Sequence, residues 1–292
     1  MFGWTLDEER SFEVLDAYVA AGGNFIDTAD TYGRGGPGGA GESERIIGRW
    51  MAARGNRETL VIATKVGMSP DLPGLSEATI RRAIEGSLER LGIDTVDLYY
   101  AHRDDPATPL AETLGTFGAL AREGKIRHAA ASNYSAARLS EALRIGEREQ
   151  MARYVALQPH YNLVERGEYE GELADVCLQN GLACFPYFGL ARGFLSGKYS
   201  RDGPLPEGPR AAGVRDSYFN KRGFAVLDAL RRISAAHDTA VAAVSLAWLL
   251  AAPTVLAPIA SATSPGQLAE LLTSVALELS AEELAQLNTA SA

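Results

Sequence analysis

The feature that most constrains the fold of this 292-residue chain is a regular alternation of short apolar runs with amphipathic helical segments. Such alternation predicts βα units that build a parallel sheet. Seven strands are predicted, at residues 24–27, 60–65, 96–101, 126–131, 154–157, 182–186 and 255–258. Helices are predicted at residues 7–22, 42–54, 76–91, 109–123, 136–146, 169–180, 220–237, 241–250, 265–273 and 281–288.

Seven βα units in unbroken succession favour a closed barrel over an open doubly wound sheet. The glycine-rich fingerprint that opens a dinucleotide-binding sheet follows none of the predicted strands. A long segment at residues 188–218 is rich in glycine and proline, which is typical of a functional lid or a disordered loop. Because no linker or low-complexity segment interrupts the pattern, we expect one domain over residues 1–292.

Composition narrows the classes of partner. The net charge is -9 and the basic residues form no cluster, so nucleic acid is not expected as a partner. No apolar run approaches the ~18 residues of a membrane span, and the first residues lack the pattern of a signal peptide. Cys177 and Cys184 suit neither a disulfide framework nor a metal site, so no metal is expected. Buried thiols in a reducing compartment predict a cytoplasmic location.

Polar residues with complementary chemistry stand at the ends of successive strands. Asp27 ends the first strand, and Tyr32 follows in the loop. A phenol has a pKa near ~10, so proton transfer near neutral pH requires a neighbouring cation, and that cation requires a carboxylate. Lys65, at the end of the next strand, supplies the cation, and His102, after the third, can orient a carbonyl group.

An alternative interpretation makes Asp27 a turn cap and Tyr32 a surface aromatic residue. The equivalent positions of Lys65 and His102 on successive strands argue against it. Chemistry in a barrel lies where strands end and loops begin. The predicted strand ends also carry Asn133, Gln158 and Tyr187.

These residues, in this order, resemble the catalytic tetrad of the aldo-keto reductase family. Further colinear resemblances are residues 102–114 (HRDDPATPLAETL), 124–134 (GKIRHAAASNY), 157–163 (LQPHYNL), 193–199 (GFLSGKY) and 258–268 (PIASATSPGQL), so the resemblance covers nearly the whole chain. It implies a TIM-type (β/α)8 barrel. Similar proteins begin with a hairpin and a first strand that are not found here, so the first strand is expected to be missing from the given chain. A late start of the chain and a true absence both remain open.

The resemblance implies hydride transfer between a nicotinamide cofactor and a small-molecule carbonyl substrate. Tyr32 would protonate the carbonyl oxygen, Lys65 would lower the pKa of the phenol, and Asp27 would orient Lys65. His102 would hydrogen-bond the substrate oxygen. The loops at residues 34–41, 104–108 and 201–220 would select the substrate, whose identity stays open.

The resemblance also implies a cofactor site, to which Asp27 contributes. Ser132, Asn133 and Gln158 would hold the carboxamide, although Ser132 and Asn133 also suit a turn or helix cap. Tyr187 would stack on the nicotinamide ring. The residues expected at the pyrophosphate are Leu190, Gly193, Ser196 and Lys198, and those expected at the adenosine end are Ser261, Thr263, Gln267 and Glu270.

The choice between NADPH and NADH stays open at the sequence level. NADPH is expected from the family, but residues 233–292 contain no arginine or lysine to bind a 2′-phosphate. Thr263 stands where the family often has arginine. NADH is therefore the alternative cofactor.

A second class of function accompanies the enzyme hypothesis. The chain could be an inactive or cofactor-sensing aldo-keto reductase-like subunit of a larger complex. The complete tetrad favours the enzyme. The oligomeric state stays open.

Overall fold

A computed structural model describes residues 1–206 and 211–292. Its chain divides into two compact units. The first comprises Met1–Gln158 with Ser261–Pro265, and the second comprises Pro159–Ala260 with Gly266–Ala292. Residues 207–210, which belong to the predicted loop at 188–218, lie outside the described residues.

The first unit contains a parallel sheet in the strand order β1-β2-β5-β6-β7, together with a small antiparallel hairpin formed by β3 and β4. The strands are β1 (Phe25–Asp27), β2 (Val61–Val66), β3 (Met68–Ser69), β4 (Leu72–Pro73), β5 (Val96–Ala101), β6 (Ile126–Ser132) and β7 (Tyr154–Gln158). Each connection between neighbouring sheet strands contains a helix, as parallel pairing requires.

Short polar side chains begin the helices of this unit. Asp7, Ser76 and Ser135 each accept a hydrogen bond from a backbone N–H of the first helical turn. These caps satisfy donors that a helix cannot satisfy internally. The helices are α1 (Glu8–Ala20), α2 (Glu42–Arg54), α3 (Glu77–Leu91), α4 (Leu110–Arg122) and α5 (Ala136–Arg148).

The core of the first unit lies between the sheet and these helices. Ile62, Tyr99 and Phe117 are fully buried, and the rings of Tyr99 and Phe117 meet edge to face with centroids 5.5 Å apart. At the amino end of β5, Asp97 accepts hydrogen bonds from the Arg57 guanidinium at 2.7 Å and from the backbone N–H of Ile62 at 2.8 Å. At this end of the sheet, the carboxylate of Asp97 therefore has hydrogen-bond partners within the protein.

The second unit is mainly helical. Its strand β8 (Ala183–Cys184) forms a parallel bridge to Val255, and Cys177 and Cys184 are buried free thiols. Burial raises the pKa of these thiols to about 11 and about 12 respectively. The helices are α6 (Glu172–Asn180), α7 (Ala211–Tyr218), α8 (Lys221–Ala236), α9 (Val241–Leu250), α10 (Pro265–Leu272) and α11 (Ala281–Ala290).

The structure differs from the predicted elements in three places. The predicted strand at residues 255–258 is wrong, because Val255 makes only an isolated bridge. The hairpin of β3 and β4 was not predicted, since neither of its strands exceeds two residues. The segment at 188–218 is more regular than a loop, since its described residues include 3-10 turns within Ala191–Ser196, interrupted by a kink at Arg192 and Gly193, and helix α7.

Residues 1–7 contain one isolated bridge, between Phe2 and Leu6, and no strand. The missing first strand stays a prediction. In the described parts of the chain, no single helix has the length and apolar character needed to cross a membrane. The pair α8 and α9, bent by 99°, meets the requirement by length and composition only.

Candidate active site

The register of the parallel strands brings the predicted tetrad to one edge of the sheet. Asp27 on β1 pairs with Ala63 on β2, and Lys65 lies two residues after Ala63 on β2. Val66 then pairs with Ala101, so His102 directly follows the paired end of β5. The carboxyl ends of β1, β2 and β5 thus present Asp27, Lys65 and His102 together.

Lys65 is the centre of this group. Its ammonium is fully buried and donates to Asp27 Oδ2 at 2.5 Å, to the carbonyl oxygen of Thr28 at 2.7 Å and to the Tyr32 hydroxyl at 3.3 Å. Burial lowers the pKa of Lys65, but Asp27 and Tyr32 more than offset this effect, so the pKa is raised. Lys65 is therefore a charged group held in a fixed direction.

The contacts of Lys65 determine where the proton of Tyr32 can point. An ammonium has three N–H donors and no acceptor, and here each acceptor matches one donor. The Tyr32 oxygen thus accepts from Lys65, and its own proton points elsewhere. Burial raises the pKa of Tyr32, and Lys65 offsets only part of that rise. The expected lowering by Lys65 is present, but burial outweighs it, so the phenol stays protonated at neutral pH.

His102 adds a neutral polar group beside the phenol. Its ring meets that of Tyr32 at an interplanar angle of 76°, with centroids 5.9 Å apart. Burial, with the positive charges of Lys65 and Arg103, lowers the pKa of His102 to about 3. Its Nδ1 atom is buried and hydrogen-bonds no described residue. A neutral imidazole carries one N–H that can donate to a substrate oxygen.

Amide side chains extend the site along β6 and β7. Gln158 donates from Nε2 to Asp27 Oδ1 at 2.9 Å, and Ser132 donates to the Gln158 carbonyl oxygen at 2.8 Å. Asn133 donates to the His102 carbonyl oxygen at 2.9 Å. Asn133 has φ of 56°, a left-handed conformation that asparagine tolerates better than most residues. These three residues and the tetrad therefore form one hydrogen-bonded group.

The loop after His102 is fixed by two aspartates. Asp104 accepts two hydrogen bonds from Arg138, at 2.9 and 3.0 Å. Asp105 accepts from the backbone N–H of Leu75 and from the hydroxyl of Thr108. One of the three predicted substrate loops is thus tied to neighbouring elements of the first unit.

Tyr187 belongs to the second unit, where it stacks on His160 with an interplanar angle of 12° and centroids 5.2 Å apart. Phe188 meets both rings edge to face and has φ of 54°. Its carbonyl oxygen accepts from the Asn162 side chain at 3.0 Å. The tyrosine ring therefore has a packed aromatic support.

The predicted pyrophosphate residues follow Tyr187 in the same unit. Leu190 precedes the 3-10 turn, and Ser196 donates to the Gly193 carbonyl oxygen at 2.8 Å. A Cβ atom on Gly193, where φ is 98°, would stand 3.5 Å from the exposed ammonium of Lys198. This bare backbone beside a cation fits an anionic group. Arg192, in the same 3-10 segment, has its guanidinium over the Phe188 ring.

The residues predicted for the adenosine end are all exposed. Ser261 and Thr263 belong to the first unit. Gln267 and Glu270 lie on α10 in the second unit.

Two buried carboxyl groups near the tetrad were missed. Asp30, which is 6% exposed, follows β1 by three residues, and Glu44 on α2 is fully buried. Glu44 lies at helical spacing from the buried apolar residues Ile47 and Met51, so periodicity could have revealed it. Asp30 had no comparable signal.

Comparisons with known proteins agree with this geometry. The sequence model of the Aldo/keto reductase family matches residues 1–292. The chain belongs to this family. Its α/β fold with a parallel sheet suits the TIM-type architecture that the resemblance implied.

Relatives within the family carry several names. The chain is 34% identical over 296 residues to "Uncharacterized oxidoreductase YrpG" of Bacillus subtilis (strain 168), covering 98% of this chain and 88% of that protein. It is 31% identical over 288 residues to "Norsolorinic acid reductase stcV" of Emericella nidulans, covering 95% and 70%. It is 31% identical over 280 residues to "Probable voltage-gated potassium channel subunit beta" of Oryza sativa subsp. japonica, covering 92% and 83%. The family and its oxidoreductase members support a carbonyl-reducing oxidoreductase.

Proposed function

We propose that the protein is an NAD(P)H-dependent reductase of aldehydes and ketones, with Tyr32 as proton donor. The observation that carries the proposal is the set of contacts made by Lys65. All three N–H groups of its buried ammonium have acceptors, and one acceptor is the Tyr32 oxygen. A protonated phenol is thereby held with its proton directed away from Lys65.

Each side chain of the tetrad has a separate role at a substrate carbonyl. A reduced nicotinamide held by the cofactor residues named below would supply a hydride to the carbonyl carbon. Tyr32 gives its proton to the carbonyl oxygen, and Lys65 stabilises the negative charge that the phenol acquires. Asp27 holds Lys65 in place, and neutral His102 donates a hydrogen bond that orients the substrate oxygen. In the oxidation of an alcohol or a sugar, the reaction runs in reverse and the same residues take the reverse roles.

The cofactor assignment extends the resemblance to particular side chains. Ser132, Asn133 and Gln158 would hold the carboxamide beside Asp27, and Tyr187 would support the nicotinamide ring. The remaining assignments are Leu190, Gly193, Ser196 and Lys198 for the pyrophosphate, and Ser261, Thr263, Gln267 and Glu270 for the adenosine end. The bare Gly193 backbone beside Lys198 supports the pyrophosphate assignment.

Several further proposals rest on family membership. They are a TIM-type barrel fold, a single domain over residues 1–292, NADPH as the cofactor with NADH as the alternative, and a cytoplasmic location. A single cooperative unfolding transition that is the same by fluorescence and by circular dichroism would support the single domain.

A second candidate is a cofactor-sensing subunit that turns over no substrate. This candidate is supported by the similarity to the rice relative, which is named a probable voltage-gated potassium channel subunit beta. The two candidates differ in turnover and share cofactor binding, so one set of assays separates them.

The decisive experiment follows the loss of reduced nicotinamide absorbance with a panel of reactive aldehydes, beginning with a nitrobenzaldehyde, and with each cofactor. Wild type is compared with Tyr32→Phe and with the matched control Tyr18→Phe. Tyr18 lies on α1, where its hydroxyl donates to the Phe25 carbonyl oxygen. Cofactor affinity is measured separately by fluorescence quenching.

We expect turnover in wild type and in the control, and a loss of ~10²–10⁴-fold in Tyr32→Phe at unchanged cofactor affinity. If Tyr32→Phe keeps more than half of the wild-type kcat, Tyr32 is not the acid. Cofactor binding by wild type with no turnover across the panel would favour the sensing subunit.

A further inference from the structure

A second carboxyl group, Asp30, lies buried behind the tetrad and has no part in the chemistry above. It is 6% exposed, and neither carboxylate oxygen has a hydrogen bond of normal geometry with a described residue. Its backbone N–H donates to the Lys65 carbonyl oxygen at 3.4 Å. A buried carboxylate without donors is costly, because burial penalises its charged form.

Buried polar groups of other elements interact electrostatically with Asp30. Glu44, which is fully buried, accepts from the Thr64 hydroxyl at 2.6 Å and from the Arg90 guanidinium at 2.7 Å. The hydroxyl of Tyr99 is also buried and has no partner in the described part of the chain. Thr64 directly precedes Lys65 on β2, so the cluster adjoins the catalytic lysine.

The charged and titratable groups that act on Asp30 come from each neighbouring element. Burial raises the pKa of Asp30 most, to about 7, and Glu44 on α2 raises it further. Arg90 on α3 and Lys65 on β2 oppose this rise, as does the Thr31 backbone N–H. The Asp30 charge in turn raises the pKa of Tyr32 on its own loop and of Tyr99 on β5.

We propose that Asp30 is a positioning residue that acts through Lys65 and Tyr32, so that its charge state sets the acidity of the catalytic phenol. The proposal rests on the proposed function of Tyr32. When Asp30 is neutral, Lys65 acts on Tyr32 with less opposing negative charge, and the phenol is the stronger acid. When Asp30 loses its proton to solvent, its negative charge holds the phenol proton more tightly and weakens proton donation.

The effect has a distinctive pH signature. His102 remains neutral over the working range, because its pKa is lowered to about 3. With the pKa of Asp30 raised to about 7, we expect an ionisation of this site near neutral pH to come from Asp30. Carbonyl reduction should be faster below this ionisation than above it.

The first arm of the test measures kcat/KM for carbonyl reduction against pH in wild type, Asp30→Asn and Asp94→Asn. Asp30→Asn keeps the size and shape of the side chain, and Asp94→Asn removes a similar charge from an exposed loop. We expect a limb near pH 7 in wild type and in the control, and none in Asp30→Asn. The alkaline limb of Asp30→Asn should also move to lower pH by roughly half a unit.

The second arm needs no turnover. Carboxyl carbon NMR follows the aspartate resonances with pH, and the resonance missing from Asp30→Asn is assigned to Asp30. We expect it to titrate near neutral pH in wild type and at least roughly half a unit higher in Lys65→Met, since a cation that lowers its pKa has been removed.

The two arms separate the failures. A wild type without turnover overturns the proposed function, while the NMR arm still measures the coupling of Asp30 to Lys65. The inference is wrong if Asp30 titrates in the usual range of an exposed aspartate, if its titration is the same in Lys65→Met, or if the pH profile of Asp30→Asn matches wild type.

Discussion

Two aspartates at opposite ends of the same sheet have opposite surroundings. Asp97, at the amino end of β5, accepts hydrogen bonds from Arg57 and from the Ile62 backbone and pairs with Arg127 at 2.9 Å. Asp30, beyond the carboxyl end of β1, is more deeply buried, and neither of its carboxylate oxygens has a hydrogen bond of normal geometry with a described residue. The carboxylate of Asp97 at the amino end has charged and backbone donors. The carboxyl group of Asp30 at the other end lacks hydrogen bonds of normal geometry with described residues.

The difference separates stability from chemistry within one sheet. Contacts at the amino end join neighbouring strands and involve protein groups alone. The carboxyl end contains a fully buried ammonium, a neutral histidine and a carboxyl group with a strongly raised pKa. Perturbed groups of this kind cluster where proton transfer takes place. Substitutions at the two ends should therefore change different properties.

The largest effect is expected at the carboxyl end, from Lys65→Met. Removal of the ammonium leaves the Tyr32 oxygen without its donor and raises the pKa of the phenol further. Turnover should fall by ~10²–10⁴-fold, and the alkaline limb of the pH profile should move upward or vanish with the rate. Steady-state kinetics across pH measures both. An unchanged alkaline limb would mean that another group tunes Tyr32.

A smaller effect is expected from Asp30→Asn on stability. The pKa of Asp30 is raised from 3.8 to about 7 in the folded state, so folding favours its neutral form. The free energy of unfolding contributed by this group is full below pH ~4 and is lost as pH rises through about 7. Over that window the loss is at most ~4 kcal/mol.

Denaturant unfolding of wild type and Asp30→Asn at pH 5 and pH 8 measures this prediction. The variant should gain stability relative to wild type as pH rises between these values. Asp94→Asn should show no such gain, because its carboxylate is exposed. A constant difference between wild type and Asp30→Asn at both pH values would contradict the pKa assigned to Asp30.

At the amino end, Asp97→Asn should reverse the pattern. It weakens charge-assisted contacts to Arg57 and Arg127, so the free energy of unfolding should fall by about 1–3 kcal/mol. The kcat should stay within about twofold of wild type, because no catalytic residue contacts Asp97. Unfolding and kinetics on the same preparation test this, and a large loss of kcat in folded protein would show that the two ends are coupled.

Local sequence patterns predicted most elements well. Helix α2 (Glu42–Arg54), helix α9 (Val241–Leu250) and strand β5 (Val96–Ala101) begin and end at the predicted residues. Their apolar periodicity is a property of neighbouring residues. The strand predicted at 255–258 was wrong, since a strand needs a partner and Val255 finds only a single bridge to Cys184.

The site shows the same division. The proximity of Asp27, Tyr32, Lys65 and His102 was predictable, because three of them stand at the ends of neighbouring parallel strands and Tyr32 follows in the loop after the first. The raised pKa of Asp30 was not, because the charges of Glu44 and Arg90 that act on it come from two other elements. Likewise, no pattern revealed that burial outweighs Lys65 in setting the pKa of Tyr32.

The smallest effect of a substitution is expected at the adenosine end of the cofactor site. The tetrad contains the cation of Lys65, whereas the segment that contains Ser261, Thr263, Gln267 and Glu270 supplies no cation. Residues 233–292 contain no arginine or lysine, although Glu270 lies there. Each charge-assisted contact to a 2′-phosphate contributes roughly 1.5–3 kcal/mol. Hydroxyl groups of Ser261 and Thr263 and backbone N–H groups at the start of α10 would discriminate less strongly.

We therefore predict that NADPH is preferred over NADH by no more than about 2 kcal/mol, or roughly thirtyfold in Kd. Thr263→Arg should raise the preference by about tenfold, since it supplies the missing cation. Thr289→Arg, which adds the same charge to an exposed position on α11, should leave the preference unchanged. Fluorescence quenching with both cofactors gives the four dissociation constants for each comparison. A wild-type preference beyond a thousandfold would mean that a cation from elsewhere in the chain, such as Arg192 or Arg201, reaches the phosphate, and that Thr263 does not control the choice.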